Sequence, residues 1–195
     1  ACHMLEIELK ARLDPDQAKN LEARLVDLGL AFDHWSRESD DYFQAPDRDF
    51  LKSDEALRLR SLENEGGSQA FLTYKGPKLD PLSNTRREIE TPIGHVPDLK
   101  AILTALGYRS LLTVKKTRRL YRGRGPLEGI SLCLDQVEGL GSFLELEYLL
   151  ADDLNPDKRE SIRNRLLSLL DDLAVSRDRL TRKSYLELLM TSMTS

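Results

Sequence analysis

Apolar and polar residues alternate strictly along Leu5-Glu6-Ile7-Glu8-Leu9-Lys10, so a strand here carries Leu5, Ile7 and Leu9 on one face and three charges on the other. The same period of two returns in Leu57-Arg58-Leu59-Arg60, in Leu144-Glu145-Leu146-Glu147, and from Arg86 to Thr91, where Arg86, Glu88 and Glu90 share a face. Between these stretches the period lengthens. Asp14-Pro15 starts a helix with the stripe Ala18, Leu21, Leu25 and Leu28, stopped by Gly29. Leu99, Ile102, Leu103 and Leu106 repeat at helical spacing before Gly107, as do Ile162, Leu166, Leu169, Leu170 and Leu173 in a helix predicted over 156–173. A last short helix is predicted over 179–190, with a frayed tail over 191–195.

Further strands are predicted over 34–43, 69–75, 111–121 and 130–137, with turns at Glu65-Gly66-Gly67-Ser68, over 123–129 and at Gly139-Leu140-Gly141-Ser142. The total is about eight, mostly joined as hairpins, which suits a small closed barrel. The predicted fold class is α+β: a closed eight-stranded antiparallel β-barrel with strands over about 4–150, covering helices, and a C-terminal helical segment over about 155–190. One domain over 1–195 is expected. Closure removes exposed edges and gives the charged faces a shared solvated interior, with the apolar faces turned outward beneath helices.

Composition narrows the function classes. A hydrophobic content of 40% suffices for a core. No apolar run reaches the roughly 20 residues of a membrane span, and no basic-then-apolar leader opens the sequence, so no membrane partner and a cytoplasmic location are expected. Ala1, Cys2 and His3 are given no chemistry. Cys2 and Cys133 cannot form a disulfide framework or a zinc set; Cys133 is read as a small buried residue. Although 32% of residues are charged, the net charge is −4, which argues against a nucleic-acid partner. His34 and His95 fall on no motif and are expected at the surface, and Trp35 is read as packing.

On the barrel reading, alternation collects Glu6, Glu8, Lys10, Arg58, Arg60, Lys75, Glu88, Glu90, Lys116, Arg118, Asp135, Glu145 and Glu147 in one interior. Such a set is costly to desolvate unless it pairs, stays wet, or receives a charged ligand. Guanidinium and ammonium groups bind phosphate oxygens. Crowded carboxylates call for a hard divalent ion, Mg²⁺ or Mn²⁺. A metal-bridged triphosphate uses both sets, with phosphoryl or nucleotidyl transfer as the chemistry.

Glu6-x-Glu8-x-Lys10 resembles the ExExK signature of the CYTH superfamily, the triphosphate tunnel metalloenzymes. Later segments follow in that family's order: Leu57-Arg58-Leu59-Arg60, Leu72-Thr73-Tyr74-Lys75-Gly76, Arg87-Glu88-Ile89-Glu90, Val114-x-Lys116-x-Arg118, Leu134-Asp135 and Gly141-Ser142-Phe143-Leu144-Glu145-Leu146-Glu147. The resemblance implies metal ligation by Glu6, Glu8 and Glu147, with Glu145, Asp135 and Glu90 beside the metals. It implies a triphosphate grip by Lys10, Arg58, Arg60, Lys75, Lys116 and Arg118, and catalytic contacts from Lys10 and Asp135. A slip of one residue would substitute Lys115 and Arg119 for Lys116 and Arg118. The ending Arg182-Lys183-Ser184-Tyr185-Leu186-Glu187-Leu188-Leu189 is similar to that of class IV adenylyl cyclase-like members. It implies conversion of ATP to cyclic AMP and pyrophosphate by a monomer or homodimer. The alternative is an inorganic or thiamine triphosphatase acting on tripolyphosphate or thiamine triphosphate. A non-catalytic polyphosphate- or nucleotide-binding module is remote, because its carboxylates would repel the anion.

Overall fold

The structure is a computed structural model that describes residues 2–151 and 155–193. In chain order its elements are β1 (Cys2–Leu13), α1 (Pro15–Glu22), β2 (Leu30–Gln44), β3 (Ala56–Asn64), β4 (Gly67–Lys75), β5 (Arg86–Pro92), α2 (Val96–Ala105), β6 (Arg109–Gly123), β7 (Ile130–Val137), β8 (Gly141–Ala151), α3 (Pro156–Asp172), β9 (Leu180–Thr181) and α4 (Tyr185–Met193). The strand order β5-β4-β3-β2-β6-β7-β8-β1 closes on itself because β1 also pairs with β5, which makes an eight-stranded antiparallel barrel. The seam lies along β1 and is assembled from three pieces. β5 pairs with Cys2 to Glu6, the Asn84 N–H donates to the Glu8 carbonyl at 3.0 Å, and β9 pairs with Lys10 and Ala11.

The alternation in β1 has the predicted sense. Leu5, Ile7 and Leu9 join Leu132, Leu144 and Leu146 on the outer wall, buried beneath Leu21 of α1 and Ile162, Leu166, Leu169 and Leu170 of α3. A second outer cluster sets Leu57 and Leu59 of β3 against Leu103 of α2. The third cluster is different in kind. Val114, Val137 and Phe143 stand two residues from Lys116, Asp135 and Glu145, hence on the charged face, and they meet Tyr185 and Leu186 of α4. This helix therefore closes the interior rather than covering the outside.

Several predicted elements shift. Regular helix in α1 stops at Glu22, yet the turns that follow still bury Leu25 and end at Gly29, whose φ of +86° suits glycine. β2 spans 30–44 rather than 34–43. Ile102 of α2 and Leu106 just after it are 54% and 63% exposed; the helix rests on the wall through Val96, Leu99 and Leu103, so its buried stripe departs from the predicted one. The final helix begins at Tyr185 instead of 179, for two reasons. Leu180 and Thr181 are taken up by β9, and a capping pair fixes the start: the Ser184 N–H donates to Glu187 Oε2 at 2.7 Å, and the Glu187 N–H donates to Ser184 Oγ at 3.2 Å. The helix runs on to Met193, through part of the expected frayed tail; 194–195 lie outside the described residues. Cys2 and His3, given no role in the sequence, pair through their backbone with Glu90 and Ile89.

Leu166→Ala should cost about 2–5 kcal/mol in urea unfolding, because this fully buried side chain leaves a cavity between α3 and the wall. Ile102→Ala should stay within about 0.5 kcal/mol of the parent. A cost above about 2 kcal/mol for the second would contradict the exposed placement of Ile102.

Candidate active site in the barrel interior

Register decides which charges meet. Glu8 stands opposite Glu147 and Lys10 opposite Glu145, Arg118 opposite Asp135, Glu38 opposite Lys116, and Asp40 opposite Arg60. Directly opposed side chains in an antiparallel ladder are close enough to interact strongly. The interior holds a cavity of about 220 Å³ whose wall includes Glu6, Glu8, Glu147, Arg58, Arg60 and Lys75.

One group in this cavity consists of like charges. Glu6, Glu8 and Glu147 each offer a carboxylate oxygen within 4.8 Å of the other two. Burial, reinforced by the repulsion of Glu88, pushes Glu6 up to about 7 even though the Lys75 ammonium lies 2.8 Å away. Burial and then Glu145 raise Glu8, and burial drives Glu147 well above the carboxylate range against the pull of Arg118. Three oxygens that resist being ionised together form a donor set that a divalent cation would stabilise, and hard oxygen ligands suit Mg²⁺ or Mn²⁺. The residues present fit such an ion. Asn84 orients one ligand, its side-chain amide donating to Glu8 Oε1 at 3.0 Å.

The remaining charges are matched. Arg60 places its fork on Asp40 at 2.7 and 2.8 Å and lies 3.2 Å from Glu38, while Lys116 is 2.9 Å from both acids. Burial alone would raise Glu38 and Asp40, but Arg60 and Lys116 outweigh it and hold both well below the usual carboxylate range. Arg118 forks onto Asp135 at 2.7 and 2.6 Å and also contacts Glu145. Lys75 bridges Glu6 and Glu88 and keeps Glu88, which burial would raise, down at about 2. Arg58 is less committed. It reaches Thr73 Oγ1 at 3.3 Å and Glu90 at 3.8 Å, and its buried Nε has no hydrogen-bond partner.

Alternation thus brings all the sequence-nominated residues into one interior, in different settings. Glu145 faces Lys10 and Arg118, and Glu90 accepts a hydrogen bond from Thr73 at 2.8 Å. Asp135 lies behind the cavity wall, held by Arg118 and by the Tyr185 hydroxyl at 2.7 Å. The question of register resolves in favour of Lys116 and Arg118; Lys115 is exposed, and Arg119 pairs outside with Glu22 at 2.8 Å. Sequence reasoning missed Glu38, Asp40 and Asn84; it put Arg86 on the face of Glu88 without assigning it to the interior, and named Tyr185 only within the chain's ending, whereas both line the cavity. The spacing Glu38-x-Asp40 was the available signal, hidden because Arg37, Ser39 and Asp41 make the other face of β2 polar too.

A closed antiparallel barrel whose interior combines a carboxylate trio with buried lysines and arginines defines a class of charged-tunnel proteins. The chain is a member of the CYTH family, whose domain matches residues 4–185. It is 40% identical over 185 residues to the protein named "Putative adenylate cyclase MJ0240" of Methanocaldococcus jannaschii, covering 95% of this chain and 98% of that one. It is 27% identical over 190 residues to "Adenylate cyclase CyaB" of Aeromonas hydrophila, covering 97% and 91%. The solved structure of the PH1819 protein from Pyrococcus horikoshii OT3 superposes with a TM-score of 0.85 at 38% identity, over 96% of this chain and 99% of that one.

Glu8→Gln should weaken Mn²⁺ binding, read from the free-ion paramagnetic resonance signal, by at least about tenfold, since disturbing even the partners of metal ligands costs that much. Its melting temperature should be unchanged or higher, because Glu8 is held in a site that disfavours its charge. Unaltered Mn²⁺ affinity would remove Glu8 from the ligand set.

Proposed function

We propose that this protein is a divalent-metal-dependent enzyme that acts on a nucleoside triphosphate, with cyclisation of ATP to cyclic AMP and pyrophosphate as the leading reading. The observation that carries it is the presence, in one cavity, of the Glu6, Glu8 and Glu147 trio and of Lys10, Arg58, Arg60, Lys75, Lys116 and Arg118. A metal ion held by the trio would neutralise phosphate charge and polarise phosphoryl oxygens. Arg58, with its unpartnered Nε, offers the readiest donors to a phosphate chain; Arg60, Lys116 and Arg118 exchange part of their carboxylate contacts for it. Lys10 faces the reacting phosphoryl group, and Asp135 acts through Arg118 by fixing its fork. In the cyclase reading the ribose 3′ hydroxyl oxygen bonds to the α-phosphorus as the bond from that phosphorus to the pyrophosphate oxygen breaks, pyrophosphate leaves, and the hydroxyl proton passes to water. Leu51 and Leu149 line the same cavity while 40% and 49% exposed, which puts apolar surface at its opening and favours a substrate with an organic group beyond the phosphates.

Hydrolysis of a triphosphate is the second reading. The enclosed volume of about 220 Å³ favours it, being below the roughly 300–1,000 Å³ of sites that swallow a whole organic ligand; such a pocket needs only water as the nucleophile.

The deciding assay offers ATP, thiamine triphosphate and tripolyphosphate with Mg²⁺ or Mn²⁺ and resolves cyclic AMP, pyrophosphate and orthophosphate. Cyclic AMP with pyrophosphate is expected, whereas orthophosphate alone would reject the cyclase. Turnover of the preferred substrate by Arg58→Gln should show KM raised about tenfold to a hundredfold, the scale of a lost charged hydrogen bond, with the melting temperature little changed. Arg60→Gln should lower the melting temperature as well, because it strips Asp40 and Glu38 of their main counter-charge.

A further inference from the structure

Lys10 is bound unlike the other tunnel lysines. Lys75 and Lys116 have carboxylate oxygens at 2.8 and 2.9 Å. The buried Lys10 ammonium has Glu145 at 3.4 Å, Glu8 at 3.5 Å and the Lys183 carbonyl at 3.5 Å, all at the outer limit of a hydrogen bond. What faces it closely is an aromatic ring: Nζ stands 4.3 Å from the centroid of Tyr185. That ring is itself fixed. Its hydroxyl donates to Asp135 Oδ2 at 2.7 Å, its edge packs on Phe143 with centroids 5.0 Å apart, and its backbone opens α4 behind the capping pair of Ser184 and Glu187.

A carboxylate and a π face stabilise an ammonium by different means. The carboxylate takes up N–H donors along its lone pairs, while the ring attracts the charge through its quadrupole and occupies no donor in a strong bond. We propose that Tyr185 is the positioning residue for Lys10: it holds the ammonium off Glu8 and Glu145 so that its N–H groups remain open to an incoming phosphate oxygen. The proposal rests on the reading of the tunnel as a triphosphate site. Without the ring, Lys10 collapses onto the two glutamates, and a phosphate must then compete with carboxylates for the same donors.

The test is a double-mutant cycle on the affinity, by calorimetry with Mg²⁺, for a tripolyphosphate whose two bridging oxygens are replaced by methylene and which cannot be cleaved. Lys10→Gln and Tyr185→Leu should each weaken binding about tenfold, and the double variant about tenfold rather than a hundredfold, because both remove one interaction. Tyr185→Phe keeps the π face and should bind within about threefold of the parent. Should Tyr185→Leu fail to fold, Tyr185→Gln takes its place, since its amide can still donate to Asp135 but has no π face. Independent, multiplying losses in the double variant, or unchanged binding in both the Leu and the Gln variants, would overturn the proposal alone. A parent protein that does not bind the analogue would overturn the triphosphate reading and this one with it.

Discussion

The constraint behind this structure is that charge buried in a protein must be matched, and here the matching is done across strands. Asp40 with Arg60 and Lys116, and Asp135 with Arg118, are neighbours on adjacent ladders, so closing the barrel in register also assembles the ion pairs. The polar interior then dictates the exterior. Apolar faces that would form the core of an ordinary barrel point outward and need cover, which α1, α2 and α3 supply along two sides. Among the described residues, like charges converge at the Glu6, Glu8 and Glu147 trio, while the Arg58 and Lys10 cations hold no short ion pair. These groups share one cavity.

Legibility of the fold from sequence followed how differently the two faces of a strand are solvated. β1, β3 and β8 have one face under a helix and one in the tunnel, so they alternate cleanly and could be read with their direction. β2 has a polar interior face and, around Arg37, a solvent-exposed outer face, so alternation vanishes and Glu38 and Asp40 went unseen. Isolated basic runs were ambiguous for a related reason: 115–119 offers cations on both faces, and only pairing of Lys116 with Glu38 and Arg118 with Asp135 sorts them.

The C-terminal region was the least legible part. The apolar stripe of α3 matches the predicted one, whereas Leu180 to Ser184, predicted as helix, is the two-residue strand and the residues leading into the cap of α4, too short to leave a periodic trace. The role of Tyr185 depends on contacts with Lys10 and Asp135, which are 175 and 50 positions away, so no local pattern could reveal it.

The three-piece seam along β1 bears on how the molecule is made. The partners of β1 are scattered along the sequence: β5 ends at Pro92, β8 at Ala151 and β9 at Thr181. Because two of the three trio carboxylates, Glu6 and Glu8, sit on β1 and the third, Glu147, sits on β8, the trio exists only once two strands distant in sequence have paired in register. Formation of the site is thus tied to long-range closure of the barrel, and a chain that folds without the β1–β8 pairing has no assembled trio.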